Sequence, residues 1–113
     1  MPTEQEVRFY ARLDGVEPFS LWFDSFRDLE TTDRILQRLA RIHLGNFGDF
    51  RSVGEGVQEL RIPVGPGIRI YFGRLSGTVV ILLCGGDKSS QRRDIRRAQF
   101  YWKEYRSRPH DQT

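Results

Sequence analysis

Residues 67–103 read GIRIYFGRLSGTVVILLCGGDKSSQRRDIRRAQFYWK, and this stretch decides the architecture. Two apolar strands, 68–72 and 78–84, are joined through a turn at Ser76-Gly77. VVILLC is a nearly unbroken apolar run, as expected of a central strand covered on both faces. Gly85-Gly86 ends it, and Asp87-Lys88-Ser89-Ser90 opens a long basic helix. A strand that ends in glycines and passes into a helix led by Lys and Ser brings unpaired backbone N–H groups beside a cation. A local anion site is therefore expected there.

In that last helix Ile95, Ala98, Trp102 and Tyr105 recur at spacings of three and four, with Tyr101 flanking, and form a packing stripe. The opposite side carries Arg93, Arg96, Arg97 and Phe100. Upstream, a strand over 57–62 returns through the Pro63-Val64-Gly65-Pro66-Gly67 turn. Alternation places Leu60, Ile62, Ile68, Ile70 and Phe72 on one face and Glu59, Arg61, Arg69 and Tyr71 on the other. Before it, four glycines between 45 and 56 mark a loop.

In the N-terminal part, Val7, Phe9 and Ala11 alternate with Arg8, Tyr10 and Arg12, the pattern of a half-buried strand. Pro18 suits a first helical turn, followed by Phe19, Trp22, Phe23 and Phe26 at i, i+3, i+4 and i+7. Thr31-Thr32-Asp33 supplies cap chemistry for a second helix with Ile35, Leu36, Leu39, Ile42 and His43 along one side, and Gly45 is placed to end it. His43 reads as a half-buried structural histidine, and His110 lies in a polar tail expected to fray. The predicted order is strand, two helices, three strands, helix. This is an α+β fold: a small, curved, mainly antiparallel four-stranded sheet with a helical hairpin on one face and a C-terminal helix.

With 113 residues the chain is one domain, spanning 1–113 with an ordered core over about 5–106. Its 38% hydrophobic and 29% charged residues are ordinary for a soluble globular protein, and no apolar run approaches the ~20 residues of a bilayer span. The polar N-terminus lacks a basic-then-apolar signal pattern, so a cytoplasmic location is expected. The single Cys84 excludes an internal disulfide framework, and with two distant histidines it cannot complete a four-ligand zinc site. Neither a metal nor another cofactor is expected. The net charge of +3 is uneven: the first forty residues carry eight acids and five bases, or −3, leaving +6 for the rest. That basic half favours a polyanionic partner, nucleic acid or an acidic protein.

Arg61, Arg69, Tyr71 and Lys88 are the candidate reactive groups. On one sheet face and at the strand–helix junction they would form a basic concavity bearing an aromatic ring, with Arg51 at its rim and Arg92 and Arg93 nearby on the last helix. Arg and Lys neutralise phosphate oxygens and the charge developing at phosphorus, and an aromatic ring stacks a base. Without a histidine pair or clustered carboxylates, RNA cleavage there would run through the substrate's own 2′-OH, with Lys88, Arg69 or Tyr71 assisting proton transfer. The same residues equally suit a solvated strand face with one cross-strand ion pair, worth about 0.2–1 kcal/mol. GGDKS lacks P-loop spacing because Asp87 stands where the second glycine belongs, which disfavours a nucleoside triphosphatase.

PFxxW in the first helix, LGNFGD, VGEGVQELRI, GPGIRIYF and LLCGGDKSSQxxDIxxAxxYW resemble, in order and spacing over roughly residues 7–106, the RelE/ParE toxin superfamily in its HigB-like branch. The resemblance implies the toxin of a bacterial type II toxin–antitoxin pair, an addiction-module killer protein neutralised by a small, often helix-turn-helix, antitoxin. RelE-like members cleave mRNA on the ribosome and so inhibit translation, using basic residues of the sheet's open face. By motif these correspond to Arg69, Arg61 and Lys88. The C-terminal Tyr or His of some members has no counterpart in Gln91-Arg92-Arg93-Asp94. ParE-like members instead inhibit DNA gyrase without being enzymes.

Overall fold

The computed structural model describes residues 2–109. Its elements run β1 (Glu6–Phe9), α1 (Pro18–Asp24), α2 (Leu29–His43), β2 (Phe50–Ser52), β3 (Gln58–Ile62), β4 (Ile68–Leu75), β5 (Val79–Asp87), a single 3-10 turn (Lys88–Ser90) and α3 (Gln91–Ser107). The sheet order is β1-β5-β4-β3-β2. β1 pairs with β5 in parallel and every other pairing is antiparallel.

The sheet therefore has five strands where four were expected. The additional strand, β2, lies inside the glycine-rich segment, is three residues long and is exposed throughout. It carries no buried alternation by which a strand could be read from sequence.

Leu60, Ile62, Ile68, Ile70, Phe72, Val80 and Leu82 face α1 and α2 and bury against Phe19, Ile35 and Ile42. Tyr71, Ile81, Leu83 and Cys84 face the other way and pack with Tyr10 beneath Ala98, Tyr101 and Trp102 of α3. Two small cores thus share one sheet, and β5 belongs to both. In β1 the register is offset from expectation: Tyr10 is buried against α3 while Phe9 is largely exposed.

α1 begins with Pro18 at its first position. α2 starts earlier than the threonine pair suggested: Asp28 is the N-cap, accepting from the Glu30 amide at 3.0 Å and the Thr31 hydroxyl at 2.8 Å. Ile35 and Ile42 are fully buried, Leu39 is partly so, and Leu36 faces out. Arg38 on the same helix is buried and donates to the carbonyls of Phe47, Asp49 and Arg61, tying α2 to the β2–β3 region. Burial holds its pKa below the usual arginine value.

Among the described residues no helix is long and apolar enough to cross a membrane.

Candidate nucleic-acid interface

β3 and β4 pair so that Glu59 lies opposite Tyr71 and Arg61 opposite Arg69. Period-2 geometry puts all four on the face that also receives α3. The helix lies over β5 and β4, so it covers only part of this face. Tyr71 falls beneath it and is fully buried. Arg61 and Arg69 lie beyond it and remain half-exposed.

Glu59 also has no exposure, yet its carboxylate is densely partnered. One oxygen accepts Arg51 Nε at 3.0 Å and Arg61 Nε at 3.4 Å. The other accepts the Tyr71 hydroxyl at 2.9 Å and Gln91 Nε2 at 2.8 Å. Burial pushes this carboxyl upward, but the hydrogen bonds from Gln91, Arg51 and Tyr71 outweigh it and hold the group below its usual value. The same contacts act oppositely on Tyr71, whose phenol is raised by burial and by donation to Glu59.

Two expectations change accordingly. Tyr71 is no stacking platform on an open surface, because its ring is core and its hydroxyl is committed to Glu59. With no exposure and its hydroxyl donating to Glu59, it is not placed to exchange a proton with a ligand on the surface. The Gly85-Gly86 pair is likewise no phosphate cradle: both glycines lie within β5, paired with Ile70 and Arg69 of β4. Asp87 accepts from the Ser89 amide at 2.8 Å and forms a capping box with Ser90, so the exposed donors at the turn that follows already have a partner.

The two glycines have a packing role. A side chain on Gly85 would collide with the Trp22 ring on one face, and one on Gly86 with Asp94 on the other. Asp94 is buried and held by Ser90 at 2.5 Å and Arg97 at 3.2 Å.

Lys88 is exposed, and its amide donates to Gly67 O at 3.0 Å, which brings the start of the turn against the start of β4. Arg69 approaches the same place: Arg69 Nη1 and the Lys88 Cβ lie 3.5 and 3.6 Å from the position a Cβ on Gly67 would take. Arg69 Nε is buried without a hydrogen-bond partner among the described residues. Arg92 and Arg93 are exposed on the first turn of α3, Arg93 only 4.0 Å from Asp94 in a marginal ion pair.

Arg51, Arg61, Arg69 and Lys88 therefore share one region, and Arg92 and Arg93 are exposed on the helix turn that follows Gln91. His43 is elsewhere: it packs on the α2 side of the sheet, is exposed, and its Nδ1 lies 2.9 Å from Gln5 O. His110 lies outside the described residues. Cys84 is a buried free thiol, pushed up to about 12 by burial. Among the described residues no cluster of three or more His, Cys, Asp or Glu is placed to hold a metal ion.

A protein of Haemophilus influenzae, described as uncharacterized, is 46% identical to this chain over 81 residues, covering 72% of this chain and 82% of that protein. The chain belongs to that protein's family. No family model matches it.

Glu59 and Gln91 were absent from the residues singled out as reactive. Strand parity does place Glu59 beside Tyr71. What parity lacks is the position of α3, which buries the carboxylate and brings Gln91 to it.

Proposed function

We propose that this chain is the toxin of a type II toxin–antitoxin system and a metal-independent endoribonuclease acting on mRNA at the ribosome. The observation that carries this is the pairing of Arg61 directly across from Arg69, with Arg51 and Lys88 beside them and Glu59 as the carboxylate among them. Like charges placed directly opposite on a strand pair destabilise it. An anion that binds across both would offset that repulsion, and a phosphodiester backbone carries such a charge.

Arg69 and Lys88, which meet at Gly67, are the groups assigned to charge developing at the scissile phosphate, with the substrate 2′-OH as nucleophile. Arg61 and Arg51 hold the strand. The motif resemblance to RelE/ParE toxins of the HigB-like branch supports the same assignment, and the observed α+β order is compatible with it. A protein antitoxin has a surface to occupy: exposed Leu13 and Phe100 border a hollow of about 700 Å³ between the turn after β1 and α3.

Purified chain added to translating ribosomes with end-labelled mRNA should cut within the translated region and leave naked mRNA intact. Arg69→Ala and Lys88→Ala should each reduce cutting by ~10²-fold with the melting temperature little changed. If both variants cut like the native chain, the basic face is not the active site.

A further inference from the structure

We propose that Glu59 is the positioning residue of the basic face: it anchors Arg51 and Arg61 by their inner edges and so presents both guanidinium groups together to one stretch of phosphodiester. This rests on the RNA-binding reading above and adds which residue sets the grip.

Both arginines donate Nε to the same Glu59 oxygen. Both side chains stay open to solvent beyond that bond, Arg51 50% and Arg61 40% exposed. Their terminal nitrogens are the part of the fork that grips phosphate, and fixing the inner edge fixes the fork's plane. The carboxylate cannot swing to release them, because its other oxygen is held by Tyr71 from β4 and Gln91 from α3. Four donors from four elements converge on one fully buried acid, an arrangement unlike a solvated surface ion pair.

A negative charge inside a polyanion site opposes the ligand, so its presence calls for a positional role. Ordering two long side chains before the ligand arrives removes part of the entropy cost of binding. Arg51 thereby becomes a direct phosphate contact and not merely a residue at the rim.

The test is a double-mutant cycle. Binding of a short fluorescein-labelled single-stranded oligoribonucleotide is measured by anisotropy for Arg51→Ala, Arg61→Ala and the double variant, in the native and the Glu59→Asp backgrounds. Aspartate keeps the charge but is one methylene shorter, so one oxygen no longer reaches both arginines. In the native background the double variant should lose less affinity than the product of the single losses, by at least about fivefold. In the Glu59→Asp background the losses should simply multiply, while the salt slope stays unchanged because no charge has been removed.

Equal coupling in both backgrounds, or none in the native one, overturns the assignment. Should Glu59→Asp fail to fold, Gln91→Ala, which frees one side of the carboxylate, is read by the same two outcomes. A native chain without salt-dependent oligoribonucleotide binding sinks the RNA reading and this proposal together. A native chain that binds with coupling but never cuts mRNA on ribosomes sinks the nuclease reading alone.

Discussion

Gly85 and Gly86, near the end of β5, carry no Cβ on either face, so the Trp22 ring closes down on one and the Asp94 carboxylate on the other. Gly86→Ala should cost about 1–3 kcal/mol through overpacking, measured as a lower urea midpoint at unchanged m-value. In sequence the pair reads as a phosphate-binding turn because glycine permits both close ligand approach and close side-chain approach. Only the placement of α1 and α3 decides between them.

Tyr71 poses a similar ambiguity. Alternation put it on the correct face, but whether it meets solvent depends on how far α3 extends across β4. Tyr71→Phe leaves the buried Glu59 short of one donor and should cost about 1–3 kcal/mol in unfolding free energy. Because the ring has no exposure, mRNA cutting by Tyr71→Phe should fall far less than by Arg69→Ala. An equal loss would return Tyr71 to the reacting groups.

At the scale of elements, the junction between β5 and α3 governs the site. Asp87 caps the 3-10 turn that carries Lys88, and it is held below the usual carboxylate range chiefly by the Ser89 hydroxyl. Asp87→Ala should destabilise the fold by about 0.5–2 kcal/mol in thermal or urea unfolding. It should also lower cutting, since Lys88 loses its fixed turn.

α3 itself was legible from its stripe of Ile95, Ala98, Trp102 and Tyr105. Its buried acid was not singled out, although Asp94 stands four residues before Ala98 and seven before Tyr101, on the same side. β2 was not legible at all, because three exposed residues between glycines carry no periodicity. Yet β2 supplies Arg51, which its pairing places directly opposite Glu59.

For the whole molecule, the sheet order separates the two proposed binding surfaces. β3 and β2 at one edge hold Arg61 and Arg51, while β1 lies at the other edge and the segment after it, with Leu13, lines the hollow against Phe100 of α3. The +6 of residues 41–113 follows from composition and was plain in the sequence. Which of those cations share one surface required the register.

Stability against pH should form a plateau. Glu59 and Asp87 titrate lower in the folded chain than in the unfolded one. Their contribution is complete above about pH 4.3 and is lost as pH falls through the folded values. Tyr10, Tyr71 and Cys84 are all raised, in each case chiefly by burial. Their contribution is complete below about pH 8.5 and is lost as pH rises above it. Melting temperatures measured across pH should therefore drop at both ends. A rise above pH 9 would contradict the burial of these three groups.

On the proposed function the target is mRNA. That reading is tested most directly by inducing the chain in bacteria and mapping mRNA 5′ ends and chromosome integrity in the same culture. Growth arrest with new mRNA ends at codon boundaries, absent when Arg69→Ala is induced, is the predicted result. Arrest with intact mRNA, double-strand DNA breaks and an SOS response would contradict it and point to gyrase instead.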